Sequence, residues 1–273
     1  MTEVDNIAIT INPIDEEPSD QQFNQRAKFL AEQLSLPILV RNKIDSNEIN
    51  KYQFNLFFEK GALKLIDNND QGAGPIWVDF TKGKAAYRHK HQGKGKLPIS
   101  KACGIRHGNR PSIIDATAGL GQDAFILAGL GCDVICIEQN PVVAALLEDG
   151  IARARDFAQW TQDIVNRMTL LIGRAEELLV TNTAEVIYLD PMFPHQQNKK
   201  HAKVKKGMHL FRTFPGTSSD ELSLLTVALQ CATDRVVVKR PDWSSPLASQ
   251  QATYQIVSKN HRYDVYKTNL VSK

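Results

Sequence analysis

The chain has 273 residues, of which 42% are hydrophobic and 23% are charged. A chain of this length and apolar content buries a substantial core, which excludes an intrinsically disordered protein, a collagen and a small disulfide scaffold. No apolar run approaches the roughly 20 residues of a membrane helix, and the acidic N-terminus does not resemble a signal peptide. We therefore expect a soluble, cytoplasmic protein with no membrane partner. Its four cysteines form no CxxC pair, so we expect reduced, mostly buried thiols and no metal site.

The net charge of +3 conceals two basic segments that contain no acid. The stretch between Phe80 and Ile114 carries nine lysines and arginines, and the stretch between Pro191 and Ser219 carries six. The remainder of the chain therefore has a net charge of −12. Local basic segments on an otherwise acidic protein are typical of a nucleic-acid interface, although each run taken alone also fits a solvated loop.

The first part of the chain, residues 1–80, predicts a small α+β domain. Apolar alternation and turn signals predict four strands, at 7–11, 52–58, 63–66 and 76–80. Asp20 is suited to cap a helix that runs to about Leu34. The basic stretch 81–111, which contains several glycines and prolines, predicts a linker or an RNA-binding loop rather than a core element.

Strands and helices alternate through residues 112–273, which predicts an α/β domain with a parallel sheet wrapped by helices. The predicted strands are 113–116, 134–138, 169–172, 186–189 and 235–239, followed by a hairpin of 254–258 and 263–267. The predicted helices are 122–128, 141–155, one from 175, and about 219–233. In such sheets ligands bind at the carboxyl ends of the strands.

A glycine-rich segment, DATAGLGQDA, follows the first of these strands and opens a helix. Gly119 and Gly121 permit a tight turn and a close approach to a ligand, and the helix N-terminus offers free N–H groups. The spacing fits the dinucleotide fingerprint GxGxxA, so this pattern alone leaves NAD and S-adenosylmethionine open. Asp115 favours S-adenosylmethionine, because its carboxylate repels a pyrophosphate but suits the ammonium group of an amino acid.

Acidic and polar residues also end the next two strands. Glu138 lies 17 residues after Gly121, close to the spacing at which an acid accepts hydrogen bonds from both ribose hydroxyls of a nucleotide. Gln139, beside it, is positioned to line the adenosine. Ala175 and Glu176 follow the third strand, where the adenine of this cofactor usually rests.

The fourth strand ends in the segment YLDPMFPH. This segment resembles the (Asp/Asn)-Pro-Pro-(Tyr/Phe) motif of methyltransferases that modify exocyclic amines of bases, with Met192 replacing the second proline. The lone pair of such an amine is delocalised into the ring, so hydrogen bonds from its N–H groups to the Asp190 carboxylate and the Pro191 carbonyl assist its attack on a sulfonium methyl. Phe193 is suited to stack on the base and hold it out of its own stack. No metal is required, because the product ammonium readily loses a proton.

The chain resembles the RsmJ-type methyltransferases in four segments, DATAGLGQDAF, EQNPVVAALLEDGIAR, YLDPMFPH and RVVVKRPDW. That family methylates the 2-amino group of a guanine in bacterial small-subunit ribosomal RNA, converting S-adenosylmethionine to S-adenosylhomocysteine. The resemblance covers roughly residues 77–273 and implies a Rossmann-like class I methyltransferase sheet behind a small N-terminal α+β domain. The cofactor contacts that it implies fall on Gln122, Asp123, Glu138, Gln139, Ala175, Glu176 and Asp190.

The resemblance also gives the basic segments a partner, either small-subunit ribosomal RNA or the assembled small subunit. We expect residues 81–106 and 195–212 to grip RNA on either side of the Asp190 pocket. The RNA-binding residues expected are Arg88, Lys90, Lys199, Lys200, Lys203, Lys239 and Arg240. Two alternatives stay open: a methyltransferase for another exocyclic amine, such as that of adenine, and a non-catalytic RNA-binding ribosome assembly factor.

Overall fold

The computed structural model describes residues 6–11, 18–41, 51–70, 72, 74–82, 97–191, 220–259 and 261–268. These residues form two compact units, the first ending at Val78 and the second beginning at Asp79. Each unit is built around its own sheet.

The first unit contains a four-stranded sheet and one long helix. Its strands are β1 (Ile7–Ile11), β2 (Ile38–Val40), β3 (Phe54–Glu59) and β4 (Ala62–Asp67). They lie in the order β2-β1-β3-β4, with β1 parallel to both of its neighbours. Helix α1 (Pro18–Leu34) begins two residues before the predicted cap Asp20, because the fixed φ of proline suits the first turn of a helix.

The predicted hairpin of this unit is confirmed, and the strand predicted after it is wrong. Strands β3 and β4 pair across Lys60 and Gly61, which both have the positive φ that a tight two-residue turn requires. In the predicted strand 76–80, only Ile76 pairs, through an isolated bridge to Leu65. Ile76, Val78 and Phe80 are buried, as their alternation suggested, but the segment forms no strand.

The second unit is built on a seven-stranded sheet. Its strands are β5 (Ile113–Asp115), β6 (Val134–Glu138), β7 (Met168–Ile172), β8 (Ala184–Leu189), β9 (Ala232–Pro241), β10 (Tyr254–Val257) and β11 (His261–Lys267). They lie in the order β10-β11-β9-β8-β5-β6-β7, and strands β5 to β9 are parallel. Strand β11 is antiparallel to β9 and β10. The direction of winding reverses at β5, which opens a crevice at the carboxyl ends of the central strands.

The α/β class is confirmed, and the four predicted helices are present, whereas Pro98–Ala102 and Gln159–Val165 were not predicted. The helices of this unit are α2 (Pro98–Ala102), α3 (Gln122–Gly129), α4 (Pro141–Phe157), α5 (Gln159–Val165), α6 (Ala175–Leu178) and α7 (Glu221–Cys231). Ile114, Ile187 and Val236 of three adjacent strands share one buried cluster with Leu224 and Leu225 of α7. Among the described residues, no helix combines the length and the apolar character needed to cross a membrane.

The basic stretch 81–111 is not a linker over its whole length, which corrects the prediction. Residues 97–111 include α2, which packs against β10 and β11 and buries Ile99 and Ala102. A single short helical turn carries too few apolar residues for a periodic signal, so the lysines and prolines around it dominated the pattern. Residues 83–96 lie outside the described residues.

The cysteines are free thiols, as predicted. Cys103, Cys132 and Cys136 are buried, and Cys231 is partly buried. Burial raises the pKa of each thiol, to about 11 for Cys132. These cysteines therefore act as small apolar residues rather than as nucleophiles.

Candidate active site at the carboxyl edge of the sheet

The glycine-rich loop between β5 and α3 has the backbone conformation that only glycine adopts freely. Gly119 has a φ of 53° and Gly121 a φ of 69°. A Cβ atom on Gly121 would lie 2.5 Å from Cδ1 of Leu147, because the loop packs closely on α4. A Cβ atom on Gly119 would meet no atom of the described residues within 4 Å. As far as these residues show, the space over Gly119 is open to a ligand.

Glu138, the last residue of β6, holds this loop in place. Its Oε2 accepts a hydrogen bond from the backbone N–H of Gly119 at 2.9 Å, and its Oε1 accepts one from that of Asn140 at 2.8 Å. Burial raises the pKa of Glu138, although these backbone bonds oppose that shift. A carboxylate has about four acceptor positions, so capacity remains for the two ribose hydroxyls expected there. The sequence predicted this carboxylate but not its bonds to the loop.

The residues expected at the adenine follow β7 and begin α6. Ala175 is buried, and the Glu176 side chain is 10% exposed. The Glu176 Oε1 atom is buried and accepts no hydrogen bond from any described residue, and Nη2 of Arg174 lies 3.8 Å from it. A buried acceptor left unsatisfied costs about 1–3 kcal/mol. This oxygen therefore suits an N–H donor supplied by a ligand.

The flanking glutamines differ in accessibility. Gln122, the first residue of α3, is exposed, and Gln139 is partly buried beside Glu138. Both lie near the carboxyl edge of the sheet, where the sequence predicted cofactor contacts.

Asp115 ends β5 directly below the glycine loop and is only 2% exposed. Its Oδ1 accepts a hydrogen bond from the backbone N–H of Thr117 at 3.2 Å. Burial, and then the charge of Asp123, raise the pKa of Asp115 well above its usual range. A ligand ammonium group placed here would offset the cost of this buried carboxylate.

Asp190 and Pro191 follow β8 at the same edge. The backbone N–H of Asp190 donates to the Thr117 hydroxyl at 2.6 Å, which ties the Asp-Pro dipeptide to the glycine loop. The Asp190 Oδ2 accepts from the Lys239 ammonium at 2.7 Å. Pro191 is buried, whereas Met192 and Phe193 lie outside the described residues.

Lys239 of β9 connects two carboxylates of this site. Its Nζ lies 2.7 Å from Oδ2 of Asp190 and 2.6 Å from Oδ2 of Asp123, which also accepts from the Tyr188 hydroxyl at 2.7 Å. Burial alone lowers the pKa of Lys239, but the charges of Asp190 and Asp123 more than offset this and raise it. Lys239 is therefore an ammonium at neutral pH. In the described part of the chain, no group of three or more His, Cys, Asp or Glu residues is placed to hold a metal ion.

Neither described residue that the sequence predicted to bind RNA lies on an open surface. Lys239 is held between two carboxylates. Arg240 is 5% exposed, donates through Nε to the Ser245 carbonyl at 3.0 Å, and lies 3.5 Å from Glu221. The sequence cannot tell that the carboxyl end of β9 is covered, because the covering residues come from distant parts of the chain. The other predicted RNA-binding residues lie outside the described residues: Arg88, Lys90, Lys199, Lys200 and Lys203.

Three further residues of the site were missed by sequence reasoning. Asn140 caps α4, its Oδ1 accepting from the backbone N–H groups of Val142 and Val143, and Asn followed by Pro is a recognisable helix start. Thr117 and Tyr188 carry no local signal, because their partners are 73 and 65 residues away in the chain.

Comparison with known proteins shows the family to which this chain belongs. The SAM_MT family model, which describes SAM-dependent methyltransferases, matches residues 39–268. Ribosomal RNA small subunit methyltransferase J of Stutzerimonas stutzeri is 44% identical over 253 residues, 92% of this chain and 93% of the relative. The protein of the same name from Thioalkalivibrio sulfidiphilus is 41% identical over 92% of this chain and 96% of its own length.

A solved structure extends the similarity to nearly the whole chain. The crystal structure of a SAM-dependent methyltransferase from Neisseria gonorrhoeae is 31% identical and superposes with a TM-score of 0.68. It covers 97% of this chain, and this chain covers 98% of it. The similarity therefore extends beyond residues 77–273, where the sequence motifs placed it.

Proposed function

We propose that this chain, which belongs to the ribosomal RNA small subunit methyltransferase J family of S-adenosylmethionine-dependent methyltransferases, methylates the 2-amino group of a guanosine in small-subunit ribosomal RNA. Membership of this family makes S-adenosylmethionine the cofactor and removes NAD, the other ligand that the glycine motif allowed. The proposal depends most on one contact, the 2.6 Å hydrogen bond from the Asp190 N–H to the Thr117 hydroxyl. This bond ties Asp190 to the glycine loop, which supports an amine site beside the cofactor.

The residues of the carboxyl edge fit the cofactor. Glu138 retains acceptor positions for the ribose hydroxyls, and Glu176 offers a buried, unsatisfied acceptor to the adenine amino group. Asp115 is suited to the ammonium group of the methionine part, because a positive charge relieves its burial. The open space over Gly119 lets the cofactor approach the backbone.

The chemistry requires positioning more than acid-base catalysis. S-adenosylmethionine supplies a methyl group made electrophilic by a sulfonium. The Asp190 carboxylate and the Pro191 carbonyl accept hydrogen bonds from the two N–H groups of the guanine amine, which directs its lone pair at that methyl group. Phe193 stacks on the base. Holding the reacting atoms in line supplies several of the roughly 7–11 kcal/mol that positioning offers. The methylated nitrogen then carries a positive charge and releases a proton to water.

The same proposal includes the binding partner of the protein and its location in the cell. Residues 81–106 and 195–212 hold the RNA backbone electrostatically, because both segments contain cations and no acids. The cations proposed for this task are Arg88, Lys90, Lys199, Lys200 and Lys203. The partner is small-subunit ribosomal RNA, naked or assembled, and the protein acts in the cytoplasm, where that RNA is made.

The test is methyl transfer to ribosomal RNA from a bacterial strain that lacks this protein. Purified protein is incubated with methyl-labelled S-adenosylmethionine and either small subunits or naked RNA, and the RNA is digested to identify the labelled nucleoside. We expect label in N2-methylguanosine, and its loss in Asp190→Ala with cofactor binding retained. Asp163→Ala, which removes an exposed aspartate of α5, is the matched control and keeps full transfer.

Other outcomes identify the alternatives. Label in a methylated adenosine or cytidine would replace guanine as the target but keep the amine chemistry. RNA and cofactor binding without any transfer, unchanged by Asp190→Ala, would show a ribosome assembly factor instead of an enzyme.

A further inference from the structure

We propose that Lys239 is a positioning residue for methyl transfer, which fixes the Asp190 carboxylate relative to the cofactor loop by bridging it to Asp123. The inference rests on the proposed function of Asp190. It replaces the phosphate-binding role that the sequence predicted for this lysine.

The sheet register brings the two residues together. Strands β8 and β9 are parallel, with Leu189 opposite Val238, so Asp190 and Lys239 are the next pair along the two strands. Val238 faces the buried cluster under α7. Side chains alternate along a strand, so Lys239 points to the other face of the sheet, where α3 begins with Asp123 close by.

Asp123 is a fixed anchor for this bridge. Its Oδ2 accepts from the hydroxyl of Tyr188, whose side chain is fully buried within β8. The same oxygen accepts from Lys239, so the ammonium is held between a rigid carboxylate on α3 and the Asp190 carboxylate. Asp190 is half-exposed at the end of a strand, where an unanchored carboxylate would sample several rotamers.

The charge at this site requires a cation. The carboxylate of Asp115 interacts electrostatically with those of Asp123 and Asp190, and Lys239 is a cation that offsets these charges within the described part of the chain. Without it, Asp190 would turn away from Asp123 toward solvent and away from the place of the target amine. Charge-assisted bonds of 2.6 and 2.7 Å are short and directional, which suits them to hold a carboxylate in one orientation.

Two other roles fit Lys239 less well. Its raised pKa keeps it protonated, so it does not accept the proton released by the amine. Two of its three ammonium donors are committed to carboxylates, and the charges of these carboxylates offset the attraction of Lys239 for an RNA phosphate.

The experiment measures the kinetics of Lys239→Met and Lys239→Arg with ribosomal RNA substrate. We expect Lys239→Met to lower kcat by about 10- to 100-fold, since misplacement by about 1 Å costs about that much. KM for RNA and the Kd for S-adenosylhomocysteine should change less than about threefold. Lys239→Arg should recover part of kcat, because it keeps the charge while changing the geometry.

Lys267→Met is the matched control. Lys267 also pairs with an aspartate, Asp234, but at the opposite edge of the sheet, so its kcat should equal that of the wild type. Asp123→Asn tests the other half of the bridge and should lower kcat less than Lys239→Met does.

Three results would overturn the inference while leaving the proposed function intact. A wild-type kcat in Lys239→Met with a raised KM for RNA would restore the phosphate-binding role. A weakened Kd for S-adenosylhomocysteine with an unchanged kcat would make Lys239 a cofactor ligand. A lowered melting temperature with an unchanged kcat of the folded fraction would make the bridge purely structural. Absence of transfer by the wild type would instead refute the proposed function.

Discussion

The two edges of the seven-stranded sheet carry the same kinds of charged residue in opposite settings. At the amino edge, Asp234 is 41% exposed and pairs with Arg235 and Lys267. A cavity of about 590 Å³ lies there, and its charged lining residues are Lys101, Arg106, Glu185, Asp234, Arg235 and Lys267. At the carboxyl edge, Asp115 is 2% exposed, and Lys239 is a cation that interacts with Asp115, Asp123 and Asp190.

The pKa shifts at the two edges have opposite signs. Burial alone would raise the pKa of Asp234, but its bonds to Lys267 and Arg235 outweigh burial and lower it. The pKa of Asp115 is raised, because burial dominates there. Asp234 at the amino edge is therefore satisfied by its own neighbours, whereas Asp115 at the carboxyl edge is a buried acid that a cationic ligand would relieve. This difference supports the proposed site at the carboxyl edge.

The largest effect is expected from Gly121→Ala, compared with Gly108→Ala near the amino-edge cavity. Both glycines have positive φ, but only at Gly121 does the new Cβ meet a buried side chain, that of Leu147. We expect a loss of about 2–4 kcal/mol of unfolding free energy for Gly121→Ala and about 1 kcal/mol for Gly108→Ala. Urea denaturation measures both. Equal losses would mean that the glycine loop is not closely packed on α4.

A smaller effect, on the affinity for the cofactor, is expected from Glu176→Ala. If the buried Oε1 accepts the adenine amino group, its removal weakens S-adenosylhomocysteine binding by about 10- to 100-fold. Glu177→Ala, one residue further along α6 at a side chain that is 73% exposed, should bind like the wild type. Isothermal titration calorimetry compares the two. Equal affinities for both variants would remove Glu176 from the adenine site.

The smallest effect is the opposite response of stability to pH at the two edges. The raised pKa of Asp115 means that the folded protein holds a proton that the unfolded chain releases above about pH 3.9, so stability falls as pH rises toward the folded pKa. Asp115→Asn should therefore raise the melting temperature at pH 8 by about 2–4 °C while weakening cofactor binding.

Asp234→Asn should have the opposite effect on stability. Its pKa is lowered, so its contribution is present above about pH 3.9 and is lost as pH falls through the folded value. We expect Asp234→Asn to lower stability at pH 8 by less than about 1 kcal/mol, since the pair is exposed and screened, and to leave cofactor binding unchanged. Differential scanning fluorimetry across pH 5–8 measures both variants. Shifts of the same sign would contradict the contrast between the edges.

The sequence predicted the parts of the site that lie within single elements. The strand Val134–Glu138 was predicted to the residue, and the glycine loop, the carboxylates at strand ends and the Asp190-Pro191 dipeptide all lie at the carboxyl edge. These predictions succeeded because a strand alternates with a period of two and a glycine turn has a local steric cause. The short helix Pro98–Ala102 was not predicted, because a single helical turn is too short to show a hydrophobic period.

The sequence by itself determined the α/β alternation, the glycine loop and the Asp190-Pro191 dipeptide for which we propose amine binding. Only the tertiary structure decided what Lys239 and Glu138 contact. Lys239 contacts residues 49 and 116 positions away, and Glu138 reaches back 19 residues to Gly119. Such pairs depend on the order and register of the strands, which follow from burial of the whole sheet rather than from any local pattern. A lysine at the end of a strand looks the same in sequence whether it meets a phosphate or two carboxylates.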